Sequence, residues 1–315
     1  MTLTGPIVAT RLSIQVPQGL SRARRGIRAP LLAPSLSAKH VRVAVFLLVF
    51  GLLTACKTSQ EATNAATQLT NTSQQLSAYY TDLSNQVADT ITLNEMHSQL
   101  MFQTAMDSSV RTELDTTQKE LAKRVALAKS LAKLATAYAG LANSKAATDI
   151  STAAAGLATE CKSIAPLPGG NAIPDVVSQA SQSLVEYIRQ KKLRKSSESI
   201  SQIVSGMQSM FASEMPAYKS LNRRRVEIAQ RVANEFLQKD VVELSPALAP
   251  ALKPFNLAAK LQPNQMTAEM RAMAKVDIQR TGETQIDEFA EKTSSLSAAL
   301  KAASDQVKLV AKKKH

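Results

Sequence analysis

Tryptophan is absent from the 315 residues, cysteine occurs twice, and histidine three times. These absences exclude a good deal. Two cysteines allow at most one disulfide, so the chain is not a disulfide scaffold. Beyond residue 56 the histidines are His97 and His315 alone. Glu95 and His97 are two residues apart and do not share a helix face. There is no Glu-x-x-His pair of the kind that builds di-iron bundles, and no zinc-protease, phosphate-loop, dinucleotide or calcium-loop pattern. No metal and no cofactor are therefore expected. Five Tyr and seven Phe leave few platforms on which bases or sugars would stack. Glycine numbers ten, and proline is missing from 35 to 165. Without turn residues, and rich in Ala, Leu, Lys, Gln, Ser and Thr, such a chain reads as all-α.

Acidic residues are absent from 1–55, which carry seven basic ones. The net charge of +13 is thus misleading: residues 56–315 hold 31 basic and 25 acidic groups, a net of +6. That modest surplus implies no nucleic-acid partner. Long apolar runs are also scarce. The one that stands out is Val43–Ala55, thirteen uncharged residues behind Lys39, His40 and Arg42 and ending at Cys56. A membrane span needs about 20 apolar residues. An export signal needs a core of about 7–15 behind a basic start.

Leu53-Thr54-Ala55-Cys56 resembles the lipobox of bacterial lipoproteins, in which a Leu and two small residues precede the modified Cys. The resemblance implies cleavage between Ala55 and Cys56, fatty acyl chains on Cys56, and a membrane partner reached through that lipid anchor. Stable anchoring takes two chains or more. Lys57, where an Asp would favour retention on the inner membrane, implies the outer membrane facing the periplasm. Residues 41–55 are then the signal peptide and 56–315 the mature chain. Residues 1–40, with Pro6, Pro17, Pro30 and Pro34, are expected to be a non-native or disordered extension, translation starting near Val41. Cys161 is left as a single thiol, expected to be buried among Leu157, Ala158 and Ile164.

The mature chain reads as an antiparallel bundle of about four long amphipathic helices with coiled-coil-like seams. The first runs from about Ser59 to Ala105, its seam Leu69, Leu76, Tyr80, Leu83 and Val87. Asp107 or Ser108 caps the second, which runs to about Ala165 through Leu127, Leu131, Leu134, Tyr138 and Leu141, with a kink signalled by Gly140 and Asn143. A Pro-Gly loop over 166–173 separates it from a third helix ending near Asp240. Pro216 is expected to kink or interrupt that helix. A break near Ser196 would divide the bundle into five shorter pieces. A fourth helix runs from about Gln265 to the end.

Between them, 241–264 carries Pro246, Pro250, Pro254 and Pro263 among Leu244, Leu248, Leu252, Phe255, Leu257 and Leu261. No long helix survives that spacing. Two readings stay open: this connection presents an apolar surface to a partner, or it folds back to cap the core. An up-down-up-down order would put Cys56, the 166–173 loop and Lys312–Lys314 at the membrane end and 241–264 at the far end.

Three features invite a chemical reading. Ser130-Leu-Ala-Lys133 matches the Ser-x-x-Lys of acylating enzymes but lacks their companion motifs and sits inside a helical heptad. Asp287, Glu288 and Glu291 read as a solvated face. The basic run Arg189–Lys195 and Arg223-Arg224-Arg225 suit acidic lipid head groups, peptidoglycan carboxylates or an acidic partner, and Lys312–Lys314 suit an anionic surface. The function expected is that of a lipid-anchored cell-envelope protein with a structural or protein-interaction role, not an enzyme. Arg223, Arg224, Arg225, Leu248, Leu252 and Phe255 are the candidate surface for an envelope protein partner. The alternative is a carrier of lipid or other apolar ligand, or a membrane-active bundle.

Overall fold

The computed structural model describes the backbone of 38–140, 146–167, 176–189, 193–239, 249–256 and 266–312, and most of their side chains from residue 60 onward. Among the described residues every regular element is helical. The chain divides into two compact units, Met1–Phe50 and Gly51–His315. In the first, 38–50 is helical backbone; the account below concerns the second. Its elements are α1 (Ala38–Phe102, which begins in the first unit), α2 (Ser108–Ala139), α3 (Ala146–Ser163), α4 (Val176–Arg189), α5 (Leu193–Lys239), the short α6 (Ala249–Leu252), a 3-10 turn (Lys253–Phe255) and α7 (Ala268–Lys312).

Helix α1 is rich in Ser and Thr, which ordinarily compete with the helical backbone. Here their hydroxyls are spent on the preceding turn. Thr70 bonds the Ala66 carbonyl, Ser73 that of Leu69 and Thr90 that of Gln86, at 2.7–2.9 Å. The seam Leu69, Leu76, Tyr80, Leu83 and Val87 is buried, as its heptad spacing predicts. Gln103, with φ at 53°, reverses the chain after α1. Asp107 caps α2, its carboxylate accepting the Ser109 N–H at 2.7 Å. Those hydrogen bonds hold its pKa below the usual value.

Side-chain pairs fix the directions. Tyr80–Tyr218, Asp89–Arg225 and His97–Glu235 climb α1 and α5 in step, so these two helices are parallel. Helix α7 is antiparallel to both, through Lys292–Asp82 and the hydroxyl pairs Tyr79–Thr293 and Ser205–Ser304. Helix α2 is antiparallel as well: Arg111 pairs with Glu95, Arg124 with Glu214 and Arg224 with Glu113. Four long helices thus run up, down, up and down. The α3–α4 hairpin is inserted beside the lower half, α3 against α2 and α4 against α5. Buried residues of both cores lie at or beyond Ala65. The larger core is shared by α1 to α5 and α7. A smaller one at the upper end gathers Leu93, Val232, Phe236, Leu252, Phe255 and Ile278.

Several sequence expectations are corrected. The second helix is two: α2 stops at Ala139, and Gly140 closes it by donating its N–H to the Ala137 and Tyr138 carbonyls. The third also divides: α4 ends at Arg189 and α5 begins at Leu193, ahead of Ser196, and 190–192 lie outside the described residues. Pro216 interrupts nothing; α5 is continuous through it. The missing N–H and the displaced carbonyl belong to the side where Ala212 and Pro216 are exposed, so water takes the freed group. The hairpin also moves the 166–173 loop. Its first residues sit halfway up α2, where the Ala165 N–H donates to Glu120 and the Ala165 carbonyl accepts from Arg124. This loop therefore does not start at the Cys56 end; residues 168–173 lie outside the described residues.

Candidate functional site

The expected processing site lies on α1, where the backbone of Ala55 and Cys56 is helical; their side chains lie outside the described residues. The 1–37 part of the extension lies outside them too.

The expected partner surface is dispersed. Arg223 is exposed on α5. Arg224 pairs with Glu113 at 2.8 Å. Arg225 points inward, donating to Gln285 at 3.1 Å with Asp89 3.6 Å away. Burial raises the Asp89 pKa and the Arg225 charge partly opposes it. Leu252 and Phe255 are fully buried in the upper core. The described part of the connection, 249–256, packs onto the bundle, and those two side chains are not available to a partner. Leu248 lies outside the described residues. Large apolar side chains that do face solvent include Met270, Met273 and Val276 in the first turns of α7 and Phe102 at the end of α1.

The most organised polar constellation is one that sequence reasoning missed. Arg124, on α2, has no exposed side-chain surface, and neither does Glu214, on α5. Two guanidinium nitrogens meet the Glu214 carboxylate as a fork, Nε to Oε2 at 3.0 Å and Nη2 to Oε1. Nη1 donates to the Glu120 carbonyl at 3.0 Å, and Nη2 also reaches the Ala165 carbonyl at 2.9 Å. Tyr218 donates to Glu214, and its hydroxyl lies 3.2 Å from that of Tyr80. A phenol has one proton, and the carboxylate is the stronger acceptor. With the Tyr218 proton given to Glu214, the Tyr80 proton spans the gap to Tyr218.

Burial alone would lower the Arg124 pKa; the hydrogen bonds and charge of Glu214 outweigh it and raise it. Arg124 therefore stays cationic. Burial raises Tyr79, Tyr80 and Tyr218, so all three are neutral phenols at neutral pH. Around them Tyr79, Tyr80, Phe211 and Tyr218 pack with ring centroids 5.4–6.3 Å apart, and Phe289 lies 5.6 Å from Tyr79. This node joins α1, α2, α5 and the strand of chain after α3. Its acceptors and donors are used on each other, and nothing in it is poised toward solvent.

Cys161 is buried, which pushes its thiol up to about 12, away from a nucleophilic thiolate. His97 stacks on Phe102, and its Nδ1 stands 3.4 Å from Glu235. Lys133 is exposed and Ser130 half-buried on the same helix, with no further catalytic partner beside them among the described contacts. Among the described residues no three His, Cys, Asp or Glu side chains converge. The larger described groove, about 510 Å³ between α1 and α2, is lined by Ser73, Ser77, Thr81, Asp82, Asn85 and Lys129. No described helix is long and apolar enough to cross a membrane. Compared with known protein families, curated proteins and solved structures, the chain matches none.

Proposed function

We propose that the chain is a lipid-anchored protein of the bacterial cell envelope, held on the outer membrane facing the periplasm, whose helical bundle serves a structural or protein-interaction role. The observation that carries the reading is Leu53-Thr54-Ala55-Cys56 directly behind the apolar run of Val43–Leu52. Acyl chains on Cys56 tether the bundle. The role of the bundle itself is supported by its interior: the charged groups at its centre are spent on one another, which suits a rigid spacer rather than a reactive centre. Exposed groups are then the means of contact. Arg223 remains part of the partner surface, and Met270, Met273 and Val276 take the place of Leu252 and Phe255. The carrier reading requires an enclosed apolar cavity inside the bundle; the groove described above is open to solvent, so it lends that reading no support.

Acyl labelling tests the anchor. The wild-type protein incorporates labelled fatty acid in a lipoprotein-processing host, and Cys56→Ser incorporates none. Equal labelling of both would end the reading. Photo-crosslinkers at positions 223 and 273 of the tethered protein test the surface. Capture of one discrete envelope protein is expected, and no capture from either position would overturn the interaction role.

A further inference from the structure

The segment over the upper core, 249–256, is gripped by side chains. It consists of α6 and the 3-10 turn, and Pro250 and Pro254 within it have no N–H to give. The Asn256 N–H donates to the Lys253 carbonyl at 3.1 Å, a bond internal to the segment. Asn256 then takes the left-handed conformation, φ 48°, which asparagine tolerates and which ends the turn. Lys253, Pro254 and Asn256 face solvent, while Ala251, Leu252 and Phe255 are fully buried. Leu252 and Phe255 are three residues apart, so both fall on one side of these tight turns. They enter a groove walled by Val232 and Phe236 of α5 and by Ala274 and Ile278 of α7, in one core with Leu93 of α1.

The walls of that groove are tied to one another without the segment. Lys239, the last residue of α5, donates to the Leu100 carbonyl near the end of α1. Arg271, in the first turn of α7, donates to the Leu237 carbonyl at 2.8 Å. Each cation thus meets the carbonyl end of a neighbouring helix, where positive charge is favoured. Gln230 of α5 reaches the Ile278 and Gln279 carbonyls of α7 at 3.3 and 3.2 Å. An apolar lip continues beyond the buried floor. Met96, Leu100 and Met266 pack half-buried against the same core, and Met270, one turn ahead of Ala274 on α7, is 43% exposed. Methionine side chains refill irregular gaps and suit surfaces that accept more than one apolar guest.

We propose that 249–256 is a detachable strap, and that the groove it fills is where the bundle receives an apolar segment of a partner protein. The strap itself displays the guest that the groove takes: two bulky apolar side chains three residues apart on one turn. Strap and partner compete for the same floor, so the partner docks only in molecules whose strap is out. This rests on the interaction role proposed above and supplies its docking site and the chemistry of its guest. Exposed Met270 then flanks the bound segment at the lip of the groove.

Two measurements test it on residues 56–315 with Cys56→Ser, which contains both cores; helicity and cooperative melting are verified first. The first uses Cys161, buried in the larger core, as a clock. With Leu252→Cys added, reaction of each thiol with a labelling reagent is compared with its reaction in denaturant. The thiol at position 252 should be protected at least about tenfold less than Cys161, because the strap leaves while the bundle stays folded. Equal protection of the two would show that the strap opens only with the whole bundle, and would overturn the proposal.

The second uses the peptide Ala249–Asn256 at up to about 1 mM, the effective concentration that a short tether supplies. The variant Leu252→Ala/Phe255→Ala should bind it, and the chain with its strap intact should bind at least about tenfold more weakly, as few of its molecules are open. A peptide carrying the same two changes should bind neither. Equal binding by both chains, or none by the folded variant, would overturn the proposal; if that variant does not fold, the thiol comparison decides alone. Peptide selectivity together with no capture from positions 223 and 273 would instead remove the envelope partner and leave the groove and its guest chemistry standing.

Discussion

Glu214 offers the sharpest perturbation in the molecule. Its carboxylate accepts two bonds from Arg124 and one from Tyr218, and none of its side chain is exposed. Glu214→Ala leaves the Arg124 guanidinium buried, with the Glu120 carboxylate 3.7 Å away as its nearest remaining counter-charge. Removing one partner of a buried pair costs about 3–5 kcal/mol, because the surviving charge keeps its desolvation penalty. The Tyr80 and Tyr218 hydroxyls then share one hydrogen bond, and the phenol proton left without an acceptor adds about 1 kcal/mol. A loss of about 4–6 kcal/mol is a large share of a total stability of about 5–15 kcal/mol. It should lower the melting temperature by about 8–24 °C for a chain of this size.

Arg124→Ala should lose a similar amount, since it strands Glu214 and frees the Ala165 carbonyl. The double variant Arg124→Ala/Glu214→Ala should lose less than the sum by about 2 kcal/mol or more, because neither charge is then left alone. Urea denaturation followed by far-ultraviolet circular dichroism measures all three. Single losses below about 1 kcal/mol, or strict additivity, would show that the pair is not the desolvated unit described above.

Four further outcomes follow from the geometry. A Cβ at Gly206 would stand 2.5 Å from Val177 Cγ2, so Gly206→Ala should destabilise by about 1–2 kcal/mol, and adding Val177→Ala should restore part of it. A Cβ at Gly156 meets nothing within 4 Å, so Gly156→Ala should stabilise by about 1 kcal/mol through helix propensity alone; both are read from denaturation midpoints. Cys161, raised to about 12, should resist a thiol reagent in the native state and react at once in denaturant. Cys161, Tyr79, Tyr80 and Tyr218 all have folded pKa values above their unfolded ones. The unfolded chain therefore sheds these protons first. Their stabilising contribution is complete below about pH 8.5 and falls as pH rises, by about 1 kcal/mol per pH unit for each titrating group. Denaturation midpoints between pH 8 and 11 should decline, and less steeply in Cys161→Ala.

How much of this was legible before the structure depends on the kind of signal. The seam of α1 could be read because its large residues recur at steps of seven, four, three and four and the polar remainder cannot compete for the core. The division of the second helix was harder: Gly140 is a weak breaker, and the alanine-rich sequence on either side keeps helical periodicity. The sequence between Arg189 and Leu193 contains neither Gly nor Pro, so nothing local announces that α4 and α5 are separate helices. Pro216 misled in the other direction, because periodicity does not reveal that its ring falls on the solvent side.

The node at Arg124 left a trace that was passed over. Leu114, Thr117, Leu121, Arg124, Ala128, Leu131, Ala135 and Tyr138 step by three and four, and all are buried. Met207, Phe211, Glu214 and Tyr218 do the same on α5. A basic residue in one core stripe and an acidic one in another was the available sign. What pairing alone could not supply was the relative register of two helices ninety residues apart in the chain.

The ring cluster has an optical consequence. With no tryptophan to dominate it, the intrinsic emission of this protein comes from five tyrosines, and three of these touch one another. One of the three also gives its proton to a carboxylate, a contact that drains the excited phenol. The folded protein should therefore be dim and the unfolded chain bright, so a spectrofluorometer can follow the centre of the bundle opening without any added dye.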